Sequence, residues 1–485
     1  MKARKRTSSF PVFCSSVLTS LFFPAGKSFF NLKQNAMKFL FEKRNVLLSA
    51  SVVVVAGLFA TASLNADSRE KEIVKCCNNP DLNHVCIMKT ILGIDTSAEG
   101  RSISTFQTPE KVDASIKKGL EWMGKAQAPD GGWGAGTHAR QDVMDPHAVA
   151  SDPATTSLVA MSLLRTDNTL DKGIYSKNLK EATEFLLKAT ENCPDDQQYL
   201  TTLTNTQPQI KLGRNIDVIL TAQFFTNILR YDLNDVKLKS RIEKALDKCV
   251  ARIQKGQAED GSWRDGGWAP VLQSALANNA LESADDVGRK VDKTVMERSR
   301  KYQNSNFDIS TNSVATDKAA GVMLYGLSST TRASAKESKR AQDLVDKAKR
   351  EGKIKDNVVN EENLKAAGIT TPDAKELVTA YSINRASVQE AQRGDVLNGF
   401  GNNGGEEFMS FLMTGESLMM QGGDSWKTWY EATTGKLVNI QNQDGSWNGH
   451  HCITSPVFCT ATCLLILSIH NDMQFSMQQH QDKSN

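Results

Sequence analysis

The sequence predicts an all-α protein built as two concentric layers of helices, and three observations carry that prediction. No segment alternates apolar and polar residues over a strand's length between turn signals. Helices with one apolar face alternate with helices apolar nearly all round. A seven-residue pattern, Gln-x-x-Asp-Gly-[Gly/Ser]-Trp, occurs three times at equivalent places between them.

The copies are Gln127, Asp130, Gly131 and Trp133; Gln257, Asp260, Gly261 and Trp263; and Gln441, Asp444, Gly445 and Trp447. One Asp-Gly is a turn signal, whereas three copies with fixed Gln and Trp offsets are a repeat. Ahead of the first copy, Val112, Ile116, Leu120 and Met123 form an apolar stripe at helical spacing. Ile242, Ala245, Leu246, Cys249, Val250 and Ile253 do so ahead of the second. Trp426, Trp429, Tyr430, Thr433, Leu437 and Ile440 do so ahead of the third. These one-sided helices belong outside. After the first and third copies, Asp152-Pro153 and Ser455-Pro456 pair a capping side chain with a proline at the first helical position. They open Ala154–Leu164 and Val457–Ile469, which are apolar all round and belong inside, as does Asn215–Tyr231. The Trp on each turn is expected to staple neighbouring repeats, with the Gln amide bonding backbone at an adjacent helix end.

The 485 residues carry 40% apolar and 23% charged side chains, which excludes a disordered chain. A mean hydropathy of −0.39 excludes a polytopic membrane protein. The net charge of +3 is uneven: residues 1–62 hold nine Lys/Arg against one acid, and the remainder holds 49 bases against 54 acids. Such an acidic body has no electrostatic reason to hold nucleic acid. From Met37, the run Lys38, Lys43, Arg44, then Val46 to Ala60, then Ala60-Thr61-Ala62 has the three parts of a secretory signal peptide. Export to a periplasmic or secreted location is expected, with residues 1–36 an upstream extension. An uncleaved anchor that keeps the protein near a membrane is the alternative. In an oxidising compartment the eight remaining cysteines first suggest disulfides, with Cys76, Cys77 and Cys86 stapling residues 63–104.

The three Gln-x-x-Asp-Gly-x-Trp copies resemble the QW motif of the squalene cyclase and prenyltransferase repeat superfamily. That resemblance implies a terpenoid cyclase-like α/α toroid of inner and outer helices around a cavity. It covers residues 105–290 and 401–472, with 473–485 a polar tail. Residues 291–400, dense in charge between Arg332 and Lys365, read as a charged insertion forming a helical hairpin.

The family's chemistries find few matching residues. Cyclases of this kind use Asp-x-Asp-Asp, but Asp195-Asp196 and Asp285-Asp286 lack the leading Asp, and Asp217 stands alone. The segment Phe458–Leu464 resembles the stretch where protein prenyltransferases place a zinc-binding His. Here His450, His451, Cys452 and Cys459 are the candidate zinc ligands, and the partnering Asp-x-Cys element is missing. Gly404-Gly405-Glu406-Glu407 resembles a complement-type thioester segment without its reactive pair. Toroidal polysaccharide lyases would use groups such as His450, His451, Asn448 and Tyr430. Two classes stay open: a non-catalytic module that takes an apolar, isoprenoid-like small molecule or a protein segment in its cavity, and an enzyme of the same fold. Any chemistry is expected around His450, His451, Glu406 and Glu407.

Overall fold

The computed structural model describes residues 108–471, apart from 232, 399–402 and 422–423. The segment from 37 to 62, the cysteines at 76, 77 and 86, and the polar tail from 473 lie outside the described residues.

Among the described residues, six pairs of helices follow one another, each an outer helix leading into an inner one. They are α1 (Glu110–Lys125) with α2 (Pro153–Arg165), then α3 (Ser176–Glu191), the short α4 (Gln207–Leu212) and α5 (Ile216–Ile228). Next come α6 (Val236–Lys255) with α7 (Pro270–Asp286), and α8 (Lys293–Asn304) with α9 (Met323–Arg350). After the short α10 (Glu361–Ala366), α11 (Thr371–Ala391) leads through α12 (Gly394–Leu397) to α13 (Gly405–Gln421). Finally α14 (Asp424–Asn439) leads to α15 (Pro456–Leu467). The inner helices pack in the cycle α2–α5–α7–α9–α13–α15 and back to α2, so the ring closes, and each outer helix packs chiefly on the inner helix of the preceding pair: α3 on α2, α6 on α5, α8 on α7, α11 on α9, α14 on α13, and α1 on α15. The fold is an all-α toroid. Its one two-stranded sheet among the described residues, β1 (Phe307–Asp308) with β2 (Ser313–Val314), decorates a loop, and an isolated antiparallel bridge joins Thr137 to Thr206. No helix among the described residues is long and apolar enough to cross a membrane.

The helix starts follow from their caps. Asp152 accepts from Thr155 N at 2.8 Å and Ser455 from Phe458 N at 3.4 Å, each with a proline next in sequence. The expected apolar stripes of α1 and α6 are buried throughout. That of α14 stops one residue short: the helix ends at Asn439 and Ile440 is exposed.

At the three repeated turns one set of bonds recurs. Each indole N–H reaches the carbonyl ten residues back, near the end of the preceding outer helix: Met123, Ile253 and Leu437, at 3.1, 2.7 and 2.8 Å. Each Trp backbone N–H donates to a hydroxyl on the following inner helix, Thr156, Ser274 or Thr460. Each Gln amide reaches a backbone carbonyl of a neighbouring outer helix: Asn178 on α3, Val295 on α8 and Ser115 on α1. At Gly261 and Gly445 φ is +89° and +96°, and an added Cβ would lie 2.2 and 2.5 Å from the carbonyl oxygens of Arg298 and Lys118. Only glycine fits there.

The region expected as an insertion is divided differently. Residues 293–335 belong to the ring, because α8 is an outer helix and the first half of α9 is an inner one. The hairpin is the continuation: α9 runs for 28 residues, about 42 Å, and its second half packs with α10 and α11 around Ala341, Val345, Leu364 and Leu377. Apart from Arg332, which lies in the ring, the charge of 332–365 belongs to that projecting part and masks the buried Leu324, Tyr325 and Leu327 just before it.

Candidate functional site at one end of the ring

The inner helices all begin at the same end, where loops before α2, α9, α13 and α15 come together. The turn 449–454 docks on the start of α13 through His450 N to Asn403 O (2.8 Å) and Gly405 N to Ile453 O (2.9 Å). Gly405 permits this approach, since a Cβ would sit 2.8 Å from both Ile453 and Phe458. Sequence positions almost fifty residues apart thus share one site.

Glu406 and Glu407 occupy the first turn of α13, where the helix dipole favours negative charge, and both are buried. Glu407 accepts from Tyr325 OH at 2.7 Å and from Gly404 N at 2.8 Å, and His451 Nε2 lies 3.8 Å from it. Glu406 accepts from Ile453 N at 3.2 Å through one oxygen, and its other oxygen has no hydrogen-bond partner. Burial, and then the neighbouring Glu407, push the Glu406 carboxyl up to about 7. Cys452 stands beside it between Glu406 and Lys211, with its backbone in the left-handed region (φ 60°). Burial and the Glu406 charge raise this thiol to about 12, so it is a poor nucleophile. The structure therefore brings Glu406, Glu407, His451 and Cys452 together and leaves His450 exposed.

The zinc set does not fit. Cys459 is buried in α15 with its thiol on Ile453 O at 3.5 Å, burial raises it well above the usual thiol range, and His450 points to the surface. Among the described residues no three His, Cys, Asp or Glu side chains converge as a metal site. The lyase set does not converge either: Tyr430 is buried against Leu467 O and His470, near the far end of α15. Asp195-Asp196 is exposed, and Asp286 pairs with Lys336. Cys193, Cys249, Cys452, Cys459 and Cys463 are free thiols.

A second buried carboxyl pair lies at the same end. Asp152 caps α2, and Asp217 in the first turn of α5 accepts from Gln209 (2.7 Å) and Ala154 N (3.2 Å). Burial, and then Asp152, push Asp217 up to about 7.

Toward the other end a charged network crosses the ring. Glu416 on α13 pairs with Arg165 on α2 at 3.3 Å and with Arg332 on α9 at 3.0 Å, all three at most 3% exposed. Helices α2 and α9 face each other across the ring, so the three meet at its axis. Arg332 also bonds Asn279 on α7, which donates to Gln223 on α5 at 2.9 Å, and Arg165 donates to Leu465 O on α15 at 2.9 Å. All six inner helices contribute.

These buried groups give stability a pH dependence. Glu406, Asp217 and Glu337, each pushed by burial to about 7, bind protons in the folded chain. In the unfolded chain they release them near the ordinary value of about 4. Stability therefore falls as pH rises through that interval. His470, lowered to about 4 by burial, acts in the opposite sense up to its ordinary value near 6.5. His138, also lowered by burial, joins it, and Asp152, raised by burial, joins the carboxyls; above about 6.5 the imidazoles no longer oppose them. The melting temperature is expected to fall between pH 5 and 7.5, and Glu337→Gln should flatten the curve. A melting temperature that climbs over this interval contradicts the assignment.

No family model matches the chain, and no curated protein matches it. Among solved structures it is similar to two variants of the type II terpene cyclase MstE from Scytonema. One is a tyrosine-to-phenylalanine variant without ligand, at 14% identity and a TM-score of 0.31. The other is an arginine-to-alanine variant in complex with geranylgeranyl dihydroxybenzoate, at 13% identity and a TM-score of 0.30. Each match covers 75% of this chain and 98% of the other.

Proposed function

We propose that the protein is an exported, non-catalytic ring that binds an apolar protein segment at the end where Glu406 lies. The observation that carries this reading is the Arg165–Glu416–Arg332 network, which puts three charged groups across the axis where a hydrocarbon chain would have to lie. Burying an isoprenoid against these groups would add nothing to their hydrogen bonding. At the Glu406 end, by contrast, Met144, Trp268 and Met323 are each about two-fifths exposed, on loops or helix starts that precede α2, α7 and α9. Large apolar side chains exposed around polar groups mark interaction surfaces. A photo-crosslinking residue placed at 268 in the full chain should give a discrete protein adduct in cells, and Met323→Glu should remove it. No adduct, together with isoprenoid recovered from the purified protein by solvent extraction, would overturn the reading.

One observation favours an enzyme instead: Glu406 carries a carboxyl that holds its proton near neutrality. Conversion of squalene or a geranylgeranyl substrate to a cyclic product, abolished by Glu406→Gln, would replace the binding reading.

A further inference from the structure

At the end of the ring where the inner helices begin, α4, the turn before it and the loop 265–267 frame a pocket of about 300 Å³. That volume lies at the lower limit of small-ligand sites, about 300–1,000 Å³, and suits a compact molecule. Backbone bonds fix the frame: Arg214 N donates to Asp265 O at 2.7 Å, and Trp268 N to Ile210 O at 3.1 Å. The pocket is formed before any ligand arrives.

Arg214 and Asp265 both line it. Their main chains are bonded to each other, yet their side chains form no ion pair. The Arg214 guanidinium lies over the Tyr199 ring, 3.9 Å from its centroid, and this contact holds its plane. Among the described residues no hydrogen bond or ion pair engages that guanidinium, and its Nε is sealed from water. Asp217 feels the charge, but its carboxyl is already engaged by Gln209 and Ala154 N. A half-buried cation with no acceptor in the protein carries a desolvation cost that a bound anion would offset. Asp265 is exposed, and its carboxylate has no partner among the described residues either. The N–H groups of Gly266 and Gly267 are also unspent.

We propose that this pocket binds a free α-amino acid, its carboxylate on Arg214 and its ammonium on Asp265. One carbon carries both charges in such a molecule, which matches two opposite charges that are neighbours without pairing. A guanidinium edge takes a carboxylate with two parallel bonds. The two glycine N–H groups offer further donors, and Ile210 supplies an apolar wall for the carbon chain. Asp265 would repel a phosphate group, and Arg214 would repel a metal cation. A neutral ligand would leave both charges unanswered. The site shares no residue with the Glu406 cluster and does not depend on the protein-segment reading.

Calorimetry and thermal melts of the full chain, with glycine, L-alanine, L-serine and L-leucine as probes, test the proposal. At least one should bind and raise the melting temperature. The N-acetyl and the amide derivatives of that amino acid each lack one charge and should bind about tenfold more weakly. Asp265→Asn, on the exposed loop, should weaken the amino acid about tenfold with the melting temperature of the free protein unchanged. Arg214→Met, which keeps an apolar contact with Tyr199, should weaken it at least as much. Binding by none of the four probes, equal binding of either derivative, or undiminished binding in Asp265→Asn would overturn it.

Discussion

Replacing Glu416 with alanine is expected to destabilise the protein by at least about 3–5 kcal/mol, the usual cost of removing one partner from a buried ion pair. The carboxylate is shared by Arg165 and Arg332, which are 1% and 2% exposed, so its removal leaves two guanidinium groups facing each other without their counter-charge. Glu416→Gln should cost less, since the amide oxygen still accepts from one arginine. The decisive comparison is a triple replacement of Arg165, Arg332 and Glu416 by Met, Met and Leu. If the network specifies the packing of the inner ring rather than its stability, that variant should recover most of the loss. Urea denaturation of the three proteins measures it; a Glu416→Ala midpoint equal to the parent's contradicts the account.

Trp447→Ala is expected to cost about 3–5 kcal/mol, the range for emptying a buried aromatic site. Trp447 is 1% exposed, its indole donates to Leu437 O at 2.8 Å, and its ring lies against Gly119 of α1, where an added Cβ would be 2.9 Å away. Truncation therefore opens a void between the last repeat and the first. Trp263→Ala removes the same bonds within the chain's middle and should cost a similar amount. Matching melts for parent and variants would remove the stapling role from these tryptophans.

The layer assignment could be read from sequence because it rests on local pattern. A one-sided stripe such as Ile242–Ile253 needs no partner to be recognised, and Asp152-Pro153 announces its helix unaided. The meeting of Glu406 with the 449–454 turn was also within reach, since both precede inner helices and inner helices share an end. Tyr325 and Lys211 were not, because each reaches the site from an element with no sequence mark of its own. The axial network was hidden for a different reason. Arg165 directly follows an apolar run, Glu416 interrupts another, and Arg332 opens a charged stretch. A single charge beside apolar residues gives no sign of which direction it faces until the opposite side of the ring is known.

The bond between Gln441 and Ser115 has a consequence for how the chain reaches its native state. Its ends are 326 residues apart in sequence, and it joins the last repeat to the first helix. A nascent chain can stack its helical pairs one after another as each emerges, yet the first pair keeps an uncovered apolar flank until the final hundred residues arrive. Closing contacts of such long sequence separation come late and slowly, and exposed flanks in the interim are where aggregation begins. For this ring, synthesis must be complete before the first helices are protected, so the demand for a chaperone should fall on the beginning of the chain and be released by its end.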